Sequence, residues 1–199
     1  MESEEKNRWD TRYTESPESW NEPDNFLQRA YEEFLLTVQP GRALDLAGGA
    51  GRNSIYLLHH GWQVKLMDIS EVGLALARRK ALDVSSRSSA QPRAAALHSN
   101  PLETELVDLN YDLVVVFYFL RRELFPALVR ALKPGGFLIY RTYTIDRMKV
   151  PGGPDDPRYL LQPNELLRAF SALRVLHYRE TTEGKAAAEL VGRKTHGQR

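Results

Sequence analysis

Two aspartates and a cluster of glycines are the residues in this sequence whose types and spacing could bind a ligand. Asp45 ends an apolar run, Gly48, Gly49 and Gly51 follow it, and Asp68 ends the next apolar run. Glycines allow a sharp turn after a buried strand and a close approach of the backbone to a ligand. A carboxylate at the end of the second strand can accept hydrogen bonds from both hydroxyls of a ribose. The pattern therefore predicts a site for a nucleoside cofactor.

A strand, loop, helix and second strand must position these residues. The apolar run that ends at Asp45 predicts a buried parallel strand, and helix-forming residues follow over 52–60. The free amides of that helix's first turn then point toward whatever the glycine loop holds. Residues 62–67 predict the second strand. Asp68 could also cap the next helix, which opens at Ser70, and the two roles can coexist.

Two types of cofactor compete for this unit. A dinucleotide fingerprint requires Gly-x-Gly-x-x-Gly, and counting from Gly49 the third position is Ser54. This disfavours a nicotinamide cofactor. The alternative pattern is an acid that ends the first strand, followed by small residues at alternate positions: Asp45, Ala47, Gly49 and Gly51.

That alternative resembles motif I of the class I S-adenosylmethionine-dependent methyltransferases. The resemblance implies that Asp45 meets the methionine ammonium of the cofactor, directly or through water. Ala47 departs from the family, which usually has glycine there, and glycine is needed only if the backbone angle φ is positive. The LKPGG segment at 132–136, ahead of an apolar strand, also recurs widely in class I methyltransferases.

The amino-terminal residues Trp9, Tyr13 and Trp20 are similar to a segment in the tellurite-resistance and thiopurine branch of that family. In those relatives the segment folds over the bound cofactor. The resemblance runs along nearly the whole chain, so it implies a methyltransferase with S-adenosyl-L-methionine as cofactor.

Length and element order predict one α/β domain. At 199 residues the chain can bury a substantial core, but it is too short for a cofactor domain plus a full substrate domain. We expect a single doubly wound Rossmann-like sheet of seven strands, order 3-2-1-4-5-7-6, with the last strand antiparallel and helices on both faces. Within the domain 1–199, residues 1–40 form a cofactor-covering segment and helix, 41–193 the Rossmann-like core and 194–199 a flexible tail.

Apolar periodicity and turn residues give the remaining elements. Beyond the first unit, the sequence predicts helices over 26–38, 71–84, 122–132 and 164–170, strands over 93–98, 111–119, 137–142, 173–181 and 186–193, and a long connection over 150–163.

Composition excludes several classes of function. Lysine and arginine total 27 against 26 acidic residues, which favours neither a polyanion-binding surface nor an acidic tail. The absence of cysteine excludes a catalytic thiolate, disulfides and cysteine-ligated zinc. No apolar stretch reaches about 18 residues. We expect a cytoplasmic monomer or homodimer that acts on a small molecule and binds no metal, nucleic acid or membrane.

The cofactor-binding residues should come from the amino-terminal segment, the glycine loop and the carboxyl ends of the strands, where ligands bind in open α/β sheets. The candidates are Trp9, Arg12, Tyr13, Asp45, Ala47, Gly48, Gly49, Gly51, Arg52, Asp68, Ile69, Asn100, Leu102 and Phe117. Asn100 stands where the family often has an acid for the adenine amino group, and its amide oxygen could accept the same hydrogen bond. Otherwise adenine is held by backbone and by Ile69 and Leu102.

Methyl transfer is an in-line displacement at a sulfonium carbon, so the protein has mainly to align the nucleophile and exclude water. The acceptor would be a small molecule, such as an anion or a chalcogen or thiol nucleophile. The catalytic candidates on the fourth and fifth strands are Tyr118, Arg121, Arg141 and Tyr143. We hypothesise a positively charged mouth formed by Arg12, Arg121, Arg122 and Arg141. The alternative is that Arg122 opens a surface helix and Arg121 pairs with nearby acids.

Three other functions compete with a small-molecule methyltransferase. The first is a nicotinamide-dependent reductase, and the second is a catalytically silent S-adenosylmethionine-binding protein that acts through a partner. The third is methylation of a protein or nucleic acid. That last function is disfavoured because the sequence FYFL at 117–120 replaces an Asn-Pro-Pro-Tyr-like motif after the fourth strand.

Overall fold

The structure is a computed structural model that describes residues 2–87, 96–99, 110–150, 154 and 156–196. Contacts between Cα atoms divide the chain into two units, Met1–Leu102 and Glu103–Arg199. Both units combine strands with helices, so the predicted α/β class is confirmed. Within the described ranges, no helix is both long and apolar enough to cross a membrane.

The strands of the first unit are parallel and lie in the order β3-β2-β1. They are β1 (Arg42–Leu46), β2 (Gln63–Asp68) and β3 (Ala96–Ser99). Asp45 pairs in register with Leu66, and Asp68 pairs with Ser99. Because parallel strands end at the same edge of a sheet, the two aspartates reach one edge on neighbouring strands.

Helices surround these strands in the first unit. They are α1 (Glu2–Glu15), α2 (Asn25–Ala30), α3 (Arg52–His59) and α4 (Glu71–Arg87), with a 3-10 turn at Pro17–Trp20 and a π-helical turn at Tyr31–Leu35. The apolar pattern did not predict α1, because only Tyr13 is buried among its described side chains. The predicted helix over 26–38 is two pieces, and its π turn buries both Tyr31 and Leu35.

The second unit contains a mixed arrangement of strands in the order β4-β5-β7-β6. They are β4 (Tyr111–Phe117), β5 (Leu132–Tyr143), β6 (Arg174–Glu180) and β7 (Ala187–Arg193). β5 runs parallel to β4, and β7 is antiparallel to both of its neighbours. The side chains from Leu113 to Val116 are fully buried, as the β-branched run predicted.

β5 begins five residues earlier than the predicted strand over 137–142. Leu132 already pairs with Tyr111, and the next paired residues are Phe137 and Leu113, so the chain bulges between the two pairs. Gly135 has a φ of 84° within this bulge. The LKPGG segment therefore belongs to the strand instead of separating it from a helix.

Short helices cover the rest of the second unit. They are α5 (Phe125–Ala131), which follows a 3-10 turn at Arg122–Leu124, and α6 (Glu165–Ala169). Further 3-10 turns lie at Ile145–Lys149 and Pro157–Tyr159, the latter inside the predicted long connection. A bridge between Thr144 and Leu161 ties that connection to the end of β5.

Candidate functional site

The glycine loop turns the chain from β1 to α3 through three residues with positive φ. The φ angles are 56° at Ala47, 55° at Gly49 and 78° at Gly51. The Gly51 amide donates to the Gly48 carbonyl at 2.9 Å. A β-carbon on Gly48 would lie 2.7 Å from the Asp45 carboxyl group, so this position has no room for a side chain.

Ala47 is the strained member of this loop. Its φ of 56° lies in the left-handed region, where an L side chain costs about 1 kcal/mol or more relative to glycine. We therefore expect Ala47→Gly to raise the free energy of unfolding by roughly 0.5–1 kcal/mol, measured by urea denaturation. Ala50→Gly is the matched control, because Ala50 has no positive φ and should lose stability. A less stable Ala47→Gly protein would contradict this explanation.

Asp45 lies beneath the loop and is 1% exposed. The Ser54 hydroxyl donates to its Oδ2 at 2.7 Å, whereas Oδ1 is buried and has no hydrogen-bond partner among the described residues. Burial raises the pKa of Asp45 to about 7, although the Ser54 hydrogen bond and the charge of Arg52 act in the opposite direction. A buried carboxylate oxygen without a partner fits a cationic ligand group such as an ammonium.

Asp68 holds the loop from the neighbouring strand. Its Oδ2 accepts a hydrogen bond from the Gly49 amide, and its Oδ1 accepts one from the Ser70 amide, both at 2.8 Å. Burial raises the pKa of Asp68, although both amide bonds oppose that shift. The aspartate thus binds the turn that opens α4, as the capping alternative predicted. Each carboxylate oxygen keeps a second acceptor position for a ligand hydroxyl.

Tyr13 of α1 covers the glycine loop. Its hydroxyl group fills the space where a β-carbon on Gly49 would stand, and its ring edge would lie 3.0 Å from a β-carbon on Gly73. Burial and the charge of Asp68 raise the pKa of Tyr13, so its hydroxyl stays protonated. Trp9 stacks on Tyr13 with ring centroids 5.8 Å apart. The predicted amino-terminal segment therefore does contact the loop.

Three other predicted cofactor residues of this unit lie within the described ranges: Arg12, Ile69 and Arg52. The exposed Arg12 lies 5.3 Å from the Trp9 ring, and Ile69 is half-buried. Arg52 lies 3.7 Å from the buried carboxylate of Asp24, which caps α2. Asn100, Leu102 and the side chain of Trp20 lie outside the described residues.

Four residues of the second unit lie together in what we call the tyrosine–cation cluster: Tyr118, Arg141, Tyr143 and Lys185. The first three are catalytic candidates from the sequence, and Lys185 was not predicted. The Tyr118 and Tyr143 rings are 4.9 Å apart. The Arg141 guanidinium lies 5.7 Å and the Lys185 ammonium 5.5 Å from the Tyr118 ring. Lys185 also donates to the Tyr118 hydroxyl at 3.4 Å.

Backbone strain accompanies this cluster. Tyr118 has a φ of 55°, and its amide donates to the Arg141 carbonyl at 2.8 Å. Ala186, next to Lys185, also has a positive φ of 44°. Strained non-glycine residues persist where the surrounding structure over-determines them, and they concentrate at functional sites.

The charge of Arg141 is compensated by Glu189, its register partner on β7. The Arg141 Nε lies 3.4 Å from Glu189 Oε1, and both residues are buried. His177 Nε2 lies 3.9 Å from the other oxygen of Glu189. Arg147 lies 5.6 Å from the Tyr143 ring. The cluster therefore presents the exposed charge of Lys185 instead of that of Arg141.

The structure does not support Arg122 as part of a charged mouth. Its guanidinium forms a bidentate pair with Glu165, at 2.6 and 3.0 Å, and donates to the carbonyls of Arg158 and Leu160. Arg122 therefore ties the long connection to the start of α5. Arg121 is exposed and precedes the same turn, whereas Phe117 is buried at the end of β4.

Sequence reasoning missed several of these residues. Ser54 had a usable signal, because it lies on the first turn after the glycine loop, where its hydroxyl can reach Asp45. Lys80 of α4, which no motif in the sequence singles out, donates to the Ala50 carbonyl at 3.2 Å. Lys185 and Glu189 lie more than forty residues from Tyr118 and Arg141, and no local pattern connects them.

Comparison with known proteins identifies the family. A family model described as tellurite resistance protein TehB matches residues 28–190. A probable S-adenosyl-L-methionine-dependent methyltransferase TehB of Haemophilus influenzae (strain ATCC 51907 / DSM 11121 / KW20 / Rd) is 28% identical over 151 residues, or 72% of this chain and 49% of the relative. A demethylmenaquinone methyltransferase of Clavibacter sepedonicus is 32% identical over 121 residues, or 58% of this chain and 46% of the relative. The chain thus spans about half the length of these curated relatives.

The fold resembles that of a methyltransferase of known structure. The crystal structure of magnesium protoporphyrin IX methyltransferase from Synechocystis PCC 6803, which has bound SAH, superposes with a TM-score of 0.73 at 14% identity and covers 98% of this chain and 99% of that chain. The resemblance predicted from motif I is confirmed, and the choice between the two cofactors goes to S-adenosylmethionine. The chain belongs to the TehB family, a branch of the class I S-adenosylmethionine-dependent methyltransferases.

Proposed function

We propose that this protein transfers a methyl group from S-adenosylmethionine to a small-molecule acceptor. The observation that carries the proposal is the buried Asp45 Oδ1, which has no hydrogen-bond partner among the described residues and lies beneath a loop that has no room for a side chain at Gly48. An ammonium group satisfies such an oxygen, and the methionine part of the cofactor carries one. The family match supports the same cofactor.

The proposal includes the single domain that the sequence predicts. The order β3-β2-β1 in the first unit and the order β4-β5-β7-β6 in the second support it, because each matches one part of the predicted order 3-2-1-4-5-7-6. The antiparallel β7 agrees with the expected last strand.

The chain's own groups divide the work of binding the cofactor. Bound S-adenosylmethionine supplies an electrophilic methyl group on a positively charged sulfur. Asp45 accepts hydrogen bonds from the ammonium, Asp68 accepts them from the ribose hydroxyls, and Tyr13 excludes water from the loop. Ser54 keeps the Asp45 carboxylate in position through the bond to Oδ2.

The tyrosine–cation cluster is proposed to hold the acceptor. Lys185 is exposed and offers a positive charge beside the Tyr118 hydroxyl, which favours an anionic acceptor such as a chalcogen oxyanion or a thiolate. Alignment of an anionic nucleophile needs no general base. Arg121 stays a candidate because it is exposed near the end of β4.

Purified protein should release S-adenosylhomocysteine with at least one acceptor in a panel of oxyanions, thiols, halides and small phenols. Binding of S-adenosylhomocysteine without turnover on any of them would favour the silent binding protein instead. Binding of a nicotinamide dinucleotide in its place would refute the proposal.

Lys185 provides a specific prediction for the acceptor site. With an anionic acceptor, we expect Lys185→Gln to raise the acceptor KM by about ten- to a hundredfold, because a charged hydrogen bond worth about 1.5–3 kcal/mol is lost. The Kd for S-adenosylhomocysteine should stay within twofold. Lys133→Gln is the matched control, because Lys133 pairs with Asp112 near the start of β5. An unchanged acceptor KM in Lys185→Gln would contradict this role.

A further inference from the structure

Asp10 of α1 caps a helix to which it does not belong. Its Oδ1 accepts a hydrogen bond from the Ser70 hydroxyl at 2.5 Å and another from the Val72 amide at 3.2 Å, at the first turn of α4. Lys6, one turn earlier on α1, binds the other oxygen of Asp10 at 2.8 Å. The amino-terminal helix is therefore attached to α4 through one carboxylate.

Ser70 connects this carboxylate to the cofactor site. Ser70 is fully buried, and its hydroxyl also accepts a hydrogen bond from the Gly73 amide at 3.0 Å. Its own amide donates to Asp68 Oδ1 at 2.8 Å. An unbroken series of hydrogen bonds thus runs from Asp10 through Ser70 to Asp68 and on to the Gly49 amide.

The same helix also carries Tyr13, one turn after Asp10. Its hydroxyl group lies against Gly49, and its ring edge lies against Gly73. The bonds made by Asp10 therefore hold both the ribose-binding carboxylate and the aromatic cover of the glycine loop.

We propose that Asp10 is a positioning residue for the cofactor, so that docking of α1 on α4 and binding at Asp68 stabilise each other. This inference rests on the proposed function only in taking Asp68 as the ribose ligand. Asp10 itself acts through Ser70 and Tyr13. Coupling between two binding events is reciprocal, so bound cofactor must in turn hold α1 in place.

The two oxygens of Asp10 have different partners, so substitution can distinguish its capping bonds from its charge. Both capping bonds use Oδ1, and the ion pair with Lys6 uses Oδ2. Asparagine keeps an Oδ1 acceptor for the capping bonds and loses the charge and the bond from Lys6, whereas alanine loses all of these. Glu71→Gln is a matched control, because Glu71 is exposed and its carboxylate lies 3.5 Å from the same Lys6, whereas the Ser70 hydroxyl donates to Asp10.

We expect Asp10→Ala to raise the dissociation rate of S-adenosylhomocysteine about tenfold, the size expected when a helix cap is lost. Asp10→Asn and Glu71→Gln should stay within threefold of the wild type. Equal weakening in Asp10→Ala and Asp10→Asn, or no change in Asp10→Ala, overturns the inference. A wild-type protein that binds no S-adenosylhomocysteine at all would instead refute the proposed function.

A second measurement uses the wild type alone, so it does not depend on whether Asp10→Ala folds. Arg8 and Arg12 are exposed trypsin sites on α1. S-Adenosylhomocysteine should slow cleavage at these sites at least fivefold in the wild type, and this protection should fall in Asp10→Ala. An equal rate of cleavage of wild-type α1 with and without the ligand overturns the inference.

Discussion

Asp68→Ala should raise the Kd for S-adenosylhomocysteine by roughly 10²-fold or more, measured by isothermal titration calorimetry. The carboxylate is proposed to accept two ribose hydroxyls, and each hydrogen bond to a charged group contributes about 1.5–3 kcal/mol. The substitution also removes the acceptor of the Gly49 amide, so the loop itself loses its anchor. A Kd within threefold of the wild-type value would rule out Asp68 as the ribose ligand.

Controls separate this effect from a loss of folding. Asp68→Asn keeps one acceptor oxygen and should weaken binding less than Asp68→Ala. Asparagine leaves one of the amides of Gly49 and Ser70 without an acceptor, so the unfolding temperature of each variant should be measured beside its Kd to show that the protein is folded. Asp112→Ala, which removes a carboxylate paired with Lys133 in the second unit, should leave the Kd unchanged.

The affinity for S-adenosylhomocysteine should rise with pH up to neutrality. Asp45 titrates at about 7, and only its ionised form attracts an ammonium. Below that pH the Kd should fall by up to about tenfold for each unit of pH increase, and above it the Kd should level off. Calorimetry between pH 5.5 and 8 measures the slope. Asp68 titrates in the same direction, so Asp45→Asn should reduce the slope and weaken binding above neutrality.

The stability of the ligand-free protein should change with the opposite sign. The pKa of Asp45 is raised above its unfolded value, so the folded state holds a proton that the unfolded state releases between about pH 4 and 7. The free energy of unfolding therefore decreases as the pH rises through this range. Asp68 and Tyr13 face Asp45 from β2 and α1, and Arg52 faces it from α3. An Asp45→Asn protein with an unchanged pH profile of binding would contradict the assignment.

The glycine loop and its two aspartates were predictable because their chemistry imposes a local pattern. A turn that approaches a ligand needs residues without side chains, and the residues that end two parallel strands reach the same edge whatever the rest of the chain does. The buried run in β4 was predictable for a similar reason, since strands covered on both faces have continuous β-branched sequences.

The missed features depend on partners distant in sequence. α1 is mostly charged, and its position depends on Asp10 meeting Ser70, sixty residues away. Arg122 was grouped with the other arginines because their segments were expected to reach one edge of the sheet, but Glu165, forty-three residues away, determines its role. Lys185 lies on the turn between β6 and β7, and only the folded backbone brings it to Tyr118.

The pairing of Arg141 with Glu189 has a consequence for how acceptor preference can diverge among relatives. These two residues belong to neighbouring strands and neutralise each other inside the sheet. Lys185, which forms no ion pair with the described residues, supplies the exposed charge near Tyr118 from a surface turn, where replacement costs little folding energy. Mutation of that turn can therefore change which acceptor is favoured while the scaffold stays intact, so the architecture permits new specificities to evolve without a penalty in foldability.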